Sequence, residues 1–319
     1  MITRPTPTAA GDLSSPSTPL ARQAAPPAVQ RVAWFGPRDD RRDPWSTPGL
    51  PPALLQHAAR TCYLVGTAAI ARRHARRVRL NHVRYGEYHG LCRDDPFWCQ
   101  PIVIERDAQA PGDFGHTGYL LDSRTVLTCW HGWEHFGARA TLAVFGHHAR
   151  ADCDAATEIP AAQVLPVAAQ PARVPAAGSG RAATADDWVL LRLEHPVTHL
   201  GTLAPPRLAA PRTGAGVYTL GHPSGLPLKL ADGARVLAVD GALFRTDLDT
   251  FVGNSGSPVF DAATHELVGL VLAGQDDAGD FEPAPGRGCY VARETRAART
   301  GQLGVTAEAF ASAVAGAKA

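Results

Sequence analysis

Residues 126–136 read VLTCWHGWEHF, and two local structures compete for them. His131 and His135 stand four apart with Glu134 between them, so a helix would set both imidazoles on one face, one turn apart, where they could grip a metal ion. The run leading in, TVLTCW, is rich in strand formers, which would leave His131 at a strand end as a proton carrier. Gly132 disfavours a stable helix across the motif. The rest of the chain has to decide.

Short apolar runs separated by turn residues surround this stretch. GHTGYLLDSRTVLTC (115–129) reads as strand, Asp-Ser turn, strand, and ATLAVFG (140–146) and DWVLLRL (187–193) read as further strands. LKLADGARVLAVDGALF (228–244) carries Asp232-Gly233 and Asp240-Gly241, each a hairpin signal, and SPVFDAATHELVGLVLAG (257–274) predicts another hairpin. Closely spaced short strands without helix–strand alternation predict an all-β fold of barrels. Two helices stand outside the pattern. Leu54, Leu55, Ala58 and Ala59 share a side after Pro51-Pro52, and Thr306 caps a segment in which Ala307, Phe310, Ala311 and Val314 share a face.

Composition narrows the function. The 319 residues are 45% hydrophobic, enough for a large core, and 31 basic against 30 acidic residues leave no overall charge to drive binding to nucleic acid or an anionic membrane. Six arginines lie between Arg72 and Arg84, but interleaved Val78, Leu80, Val83 and Tyr85 make this a solvated strand face. Residues 1–30 hold six prolines and no aromatic, a composition expected to stay disordered. No secretory signal or membrane-spanning run is recognisable, so the expectation is a cytoplasmic protein. In that compartment most of the cysteines (Cys62, Cys92, Cys99, Cys129, Cys153, Cys289) should remain thiols, and none forms a C-x-x-C pair.

The chemistry lies in GNSGSPVF (253–260). A serine becomes a nucleophile when a base is within hydrogen-bond reach and donors face the oxyanion it creates, and a glycine two residues before it lets two N–H groups point together. Gly253, Ser255 and Gly256 meet that need. Upstream, His131 supplies a base and Asp187, opening DWVLLRL, an orienting acid, so the order along the chain is His, Asp, Ser. Ser257 stands where the G-x-S-x-G elbow needs its second glycine, which excludes the α/β-hydrolase arrangement.

GHTGYLLDSRTVLTCWH, DDWVLLRL, LGHPSGLPLK and DTFVGNSGSPVF, in this order, resemble the bacterial trypsin-like peptidases related to glutamyl endopeptidases, within the chymotrypsin fold. WFGPRDDRRDPW (34–45) and ALLQHAAR look like the lead-in of that group. The resemblance implies two packed six-stranded antiparallel β-barrels. A tail and connector over 1–45 would precede a lead-in helix and first barrel over 46–200 carrying His131 and Asp187, and 201–319 would form a second barrel carrying Ser255 and end in a short helix. It implies serine endopeptidase activity by His131, Asp187 and Ser255, with the Gly253 and Ser255 N–H groups as oxyanion donors and a protein or peptide as substrate. Cys129 stands in place of the family's alanine and reads as a small buried hydrophobe, and Trp130 and Trp133 read as cleft wall or core. Asn254 replaces the aspartate that pairs with a newly cut N-terminus in trypsin-type zymogens, so activation by that ion pair is not expected.

Specificity follows from the same resemblance. The residue six before the nucleophile, which lies at the floor of the primary pocket in trypsin-like peptidases, is Asp249, and a buried carboxylate there selects arginine or lysine. Ala273 and Gly274 would line the pocket, and Val271 stands where the glutamate-specific relatives place a histidine. Glutamate preference is the alternative. Two others remain open: a zinc peptidase using His131, Glu134 and His135 in the H-x-x-E-H order, and a silent barrel used for binding. The serine reading needs no metal and no cofactor, and the sequence leaves the oligomeric state open.

Overall fold

Short strands bury little apolar surface alone, and in each half six of them are joined edge to edge into one sheet. The computed structural model describes residues 34–35, 39–105, 115–136, 141–151, 153–168, 171–173, 175, 183–274, 281–295 and 301–316; the tail over 1–30 lies outside them. In the first half, β1 (Thr61–Gly66), β2 (His116–Leu120), β3 (Thr125–Thr128), β4 (Thr141–Val144), β5 (Val164–Pro166) and β6 (Val189–Arg192) form one antiparallel sheet in the order β5-β4-β1-β2-β3-β6. A bridge between Val167 and Leu193 joins its two edges into a barrel. The Asp122 carboxylate makes the β2–β3 turn by accepting the N–H groups of Arg124 at 2.7 Å and Thr125 at 2.9 Å.

The second half repeats the solution. β7 (Gly216–Gly221), β8 (Lys229–Asp240), β9 (Leu243–Thr246), β10 (Pro258–Asp261), β11 (Leu267–Gly274) and β12 (Gln302–Thr306) run in the order β7-β10-β11-β12-β9-β8, and pairing of β7 with β8 closes the ring. Asp240-Gly241 makes the expected hairpin. Asp232-Gly233 does not: β8 runs through it unbroken, and the register against β7 slips by one residue between Ala231 and Ala234. Gly233, at φ +77°, is therefore a bulge that bends a long strand shared by β7, β9 and the short lead-in strand Arg41–Arg42.

Every residue of β2 and β3 is buried, because one face of these strands fills its own barrel and the other meets the second. One apolar cluster spans the junction, with Tyr119, Leu127, Cys129 and Trp188 from the first half and Tyr218, Phe260 and Leu270 from the second. Both predicted helices cover it. Leu54 and Ala58 of α1 (Pro52–Arg60) belong to the cluster, while Leu55 and Ala59 are half-buried. Phe310 of the C-terminal helix (Ala307–Gly316) packs edge-on to Trp188 with ring centres 5.8 Å apart. The arginine-rich stretch is an exposed hairpin (Ile70–Arg73 and Arg77–Leu80) whose Val78 and Leu80 turn inward.

The cysteines correct the sequence reading. Cys92 pairs with Cys289 and Cys99 with Cys153, leaving Cys62 and Cys129 as buried thiols. Chain folding brings together partners 197 and 54 residues apart, which spacing along the sequence could not reveal. Such bridges persist in oxidising compartments, not in the reducing one assumed above. Unfolding without reductant should therefore expose two thiols to maleimide, and reduction all six; six labels without reductant would contradict the pairing.

Candidate active site

The Thr128-Cys129-Trp130-His131 stretch leaves β3 and turns directly into a helix, α3 (Trp130–Phe136), so the strand and helix readings of the opening motif are both right in part. Gly132 does not break this helix as expected. A Cβ there would lie 2.8 Å from the Cys129 Sγ and 2.8 Å from the His116 ring, so glycine is what lets the helix pack this closely. His131 stands in its first turn. The His135 side chain lies outside the described residues, among which no group of three potential metal ligands is found.

Asp187, fully buried just before β6, reaches the helix from the neighbouring strand. Its Oδ2 accepts the His131 Nδ1–H at 2.7 Å and its Oδ1 the His131 main-chain N–H at 2.9 Å, while the Ala183 N–H adds a third donor at 2.9 Å. Ring and backbone of the histidine are thus held by one carboxylate. Asp186 turns away to Arg173 at 3.6 Å and is half exposed. Burial disfavours charge on the imidazole, but the Cys129 sulphur and the Asp187 carboxylate beside it outweigh that and hold its pKa well above the ordinary 6.5.

Ser255 sits on the tight loop between Phe251 and Pro258. Gly253 at φ +97° and Gly256 at φ +82° occupy conformations closed to other residues, and each is wedged against backbone: a Cβ would lie 2.5 Å from the His222 carbonyl at the first and 2.3 Å from the Thr117 carbonyl at the second. Asn254 and Gly256 are buried, so Ser255 alone of the three is within reach of solvent. Among the described residues no main-chain carbonyl is found accepting the main-chain N–H of Gly253 or Ser255. The Ser255 Oγ donates to the Leu272 carbonyl at 3.1 Å and not to His131.

Sequence reasoning missed Thr117. Its Oγ1 donates to the Gly253 carbonyl at 2.8 Å and accepts the His222 N–H at 3.0 Å, while its own N–H donates to the Ser255 carbonyl at 3.0 Å. One threonine of the first barrel therefore bolts the serine loop of the second to the histidine side. Nothing in a lone Thr between His116 and Gly118 signals this. Asp249 is buried at 4% exposure, and its Oδ2 accepts the Asp40 N–H at 2.8 Å. Ala273 and Gly274 end β11; their side-chain surroundings lie outside the described residues.

The serine lies half-buried where the two β-sheets meet. Residues 116–270, just under half of the chain, match the family model described as the trypsin-like peptidase domain. No curated protein matches the sequence. Solved structures that resemble it include neuropsin, a serine protease expressed in the limbic system of mouse brain, at 16% identity, TM-score 0.46, covering 64% of this chain and 89% of that one. Another is Rv3671c from M. tuberculosis in an inactive form, at 14% identity, TM-score 0.45, covering 89% of this chain and 96% of that one.

The raised histidine pKa sets a pH dependence. The base is competent only when neutral, so kcat/KM should rise with pH through an apparent pKa above 6.5. Asp187→Asn should cost on the order of ten-thousand-fold and move the remaining limb downward, whereas Asp186→Asn should leave both nearly unchanged. A limb at or below 6.5, or an equal loss at Asp186, would contradict this assignment.

Proposed function

We propose that the chain is a serine endopeptidase in which Ser255 is the nucleophile, His131 the general base and acid, and Asp187 the residue that fixes the imidazole. The observation that carries the reading is the buried Asp187 carboxylate engaging both the Nδ1–H and the main-chain N–H of His131. This fixes the tautomer, so Nε2 is the nitrogen that takes the Ser255 proton once the hydroxyl turns from the Leu272 carbonyl. The Oγ then attacks the scissile carbonyl, and the Gly253 and Ser255 N–H groups stabilise the oxyanion. His131 returns the proton to the departing amine, leaving an acyl-enzyme that water hydrolyses by the same steps in reverse. Because the imidazolium is held by a buried carboxylate, the charge formed in the transition state is stabilised where little water competes.

The finer half of the proposal is cleavage after arginine or lysine. Asp249, six residues before Ser255, is buried, and its Oδ2 accepts the Asp40 N–H. An incoming guanidinium or ammonium would supply charge and hydrogen bonds together to a carboxylate that is costly to bury. We further propose that the enzyme works in an oxidising compartment, a reading supported by its two disulfides.

A peptide-library cleavage profile tests activity and specificity together, with Ser255→Ala as the blank. Cuts after basic residues that vanish in the blank are expected, with Asp249→Ser losing the basic preference. Cleavage after glutamate, or an Asp249→Ser variant still selective for arginine, would reject the specificity while leaving the triad standing; cleavage surviving Ser255→Ala would reject the mechanism.

A further inference from the structure

The segment ahead of the first barrel does more than lead in. Arg41–Arg42 adds a two-residue strand to β8, pairing with Ala231 and Leu230, and two register pairs alone are too few to fasten a chain terminus. Side chains do the fastening. Arg41, 3% exposed, takes a forked grip on Asp39 at 2.6–3.1 Å and lays its guanidinium 3.8 Å above the Phe251 ring, with Phe97 on another side at 4.9 Å. The Asp40 N–H holds Asp249. Three residues on, Asp43 pairs with the buried Lys229 ammonium and accepts the Gln100 Nε2–H at 2.9 Å, while Lys229 also donates to the Gln100 Oε1.

These contacts converge on one place. Asp249 and Phe251 are six and four residues before Ser255, and the Phe251 carbonyl accepts the Asn254 N–H at 2.9 Å in the turn that presents the serine. The neighbouring Val252 carbonyl accepts the Ser224 N–H, tying in the loop whose His222 carbonyl abuts Gly253. A surface strand that merely covered the barrel would have no need to bury an arginine, whose desolvation is costly, against the aromatic ring at the root of the nucleophile loop.

We propose that residues 39–43 are a positioning strap for catalysis, in which Arg41, clamped over Phe251, holds the 249–255 loop in the shape that aims the Gly253 and Ser255 N–H groups at the oxyanion. This rests on the serine-peptidase reading above. Arg41 touches no reacting atom; it acts through Phe251. Because oxyanion donors act in the transition state, loosening the strap should lower kcat with little change in KM.

The test is acylation of the full chain by a small activated ester, followed as burst amplitude and rate, alongside kcat, KM and the thermal midpoint. Arg41→Lys keeps the charge but loses the planar face over Phe251, and should slow acylation about tenfold or more with KM within about twofold. Phe251→Leu keeps apolar bulk without the ring and should do the same, which decides the matter should Arg41→Lys fail to fold. Arg77→Ala, which removes an exposed pair with Glu158 outside the strap, should leave the burst unchanged. Wild-type acylation in both Arg41→Lys and Phe251→Leu, or a drop that only follows lost thermal stability, would overturn the strap. A wild-type chain that gives no burst would instead overturn the serine-peptidase reading, so the two failures are distinguishable.

Discussion

A carboxylate with no solvent exposure must find donors for its oxygens, and Asp187 finds three on two elements: the His131 ring, the His131 main chain and Ala183. Much of the site follows from that requirement. Because one partner is the backbone of α3, the helix cannot move without unpairing a buried charge, and because the other is Nδ1, the imidazole cannot flip. Against the burial that opposes charge, Cys129 and the same carboxylate raise the His131 pKa above its ordinary value.

Ser255 is held by steric means. Its loop is threaded through spaces that only glycine fits at 253 and 256, against carbonyls contributed by the His222 loop and by β2, and it is fastened to the first barrel through Thr117. Histidine and serine belong to different barrels, so their relation depends on the inter-barrel cluster around Tyr119, Phe260 and Trp188 and on that one threonine. The serine hydroxyl is turned to the Leu272 carbonyl.

The barrels, the hairpins at 122–123 and 240–241 and both helices were legible in the sequence because each is a local pattern: strand-length apolar runs, turn residues, capping and helical spacing. His131, Asp187 and Ser255 could be picked out as a candidate set because spacing and neighbouring residue types carry chemistry. What escaped was decided by tertiary contact. Asp232-Gly233 has turn chemistry, yet closure of the second barrel turns it into a bulge. Gly132 lowers helix propensity, yet the helix needs it to fit against Cys129 and His116. The cysteine pairs join residues far apart in sequence, Asp249 is shared with a backbone N–H from the lead-in, and Thr117 carries no sequence mark of its role.

The central claim is that Ser255 is made nucleophilic by His131. It is tested most directly by treating the native chain with a small organophosphonate and locating the adduct by intact and peptide mass. The account predicts one adduct per chain, on Ser255, forming faster as pH rises through the His131 pKa and slowed by orders of magnitude in His131→Ala. An adduct on another residue, or on Ser255 at an unchanged rate without His131, would contradict it.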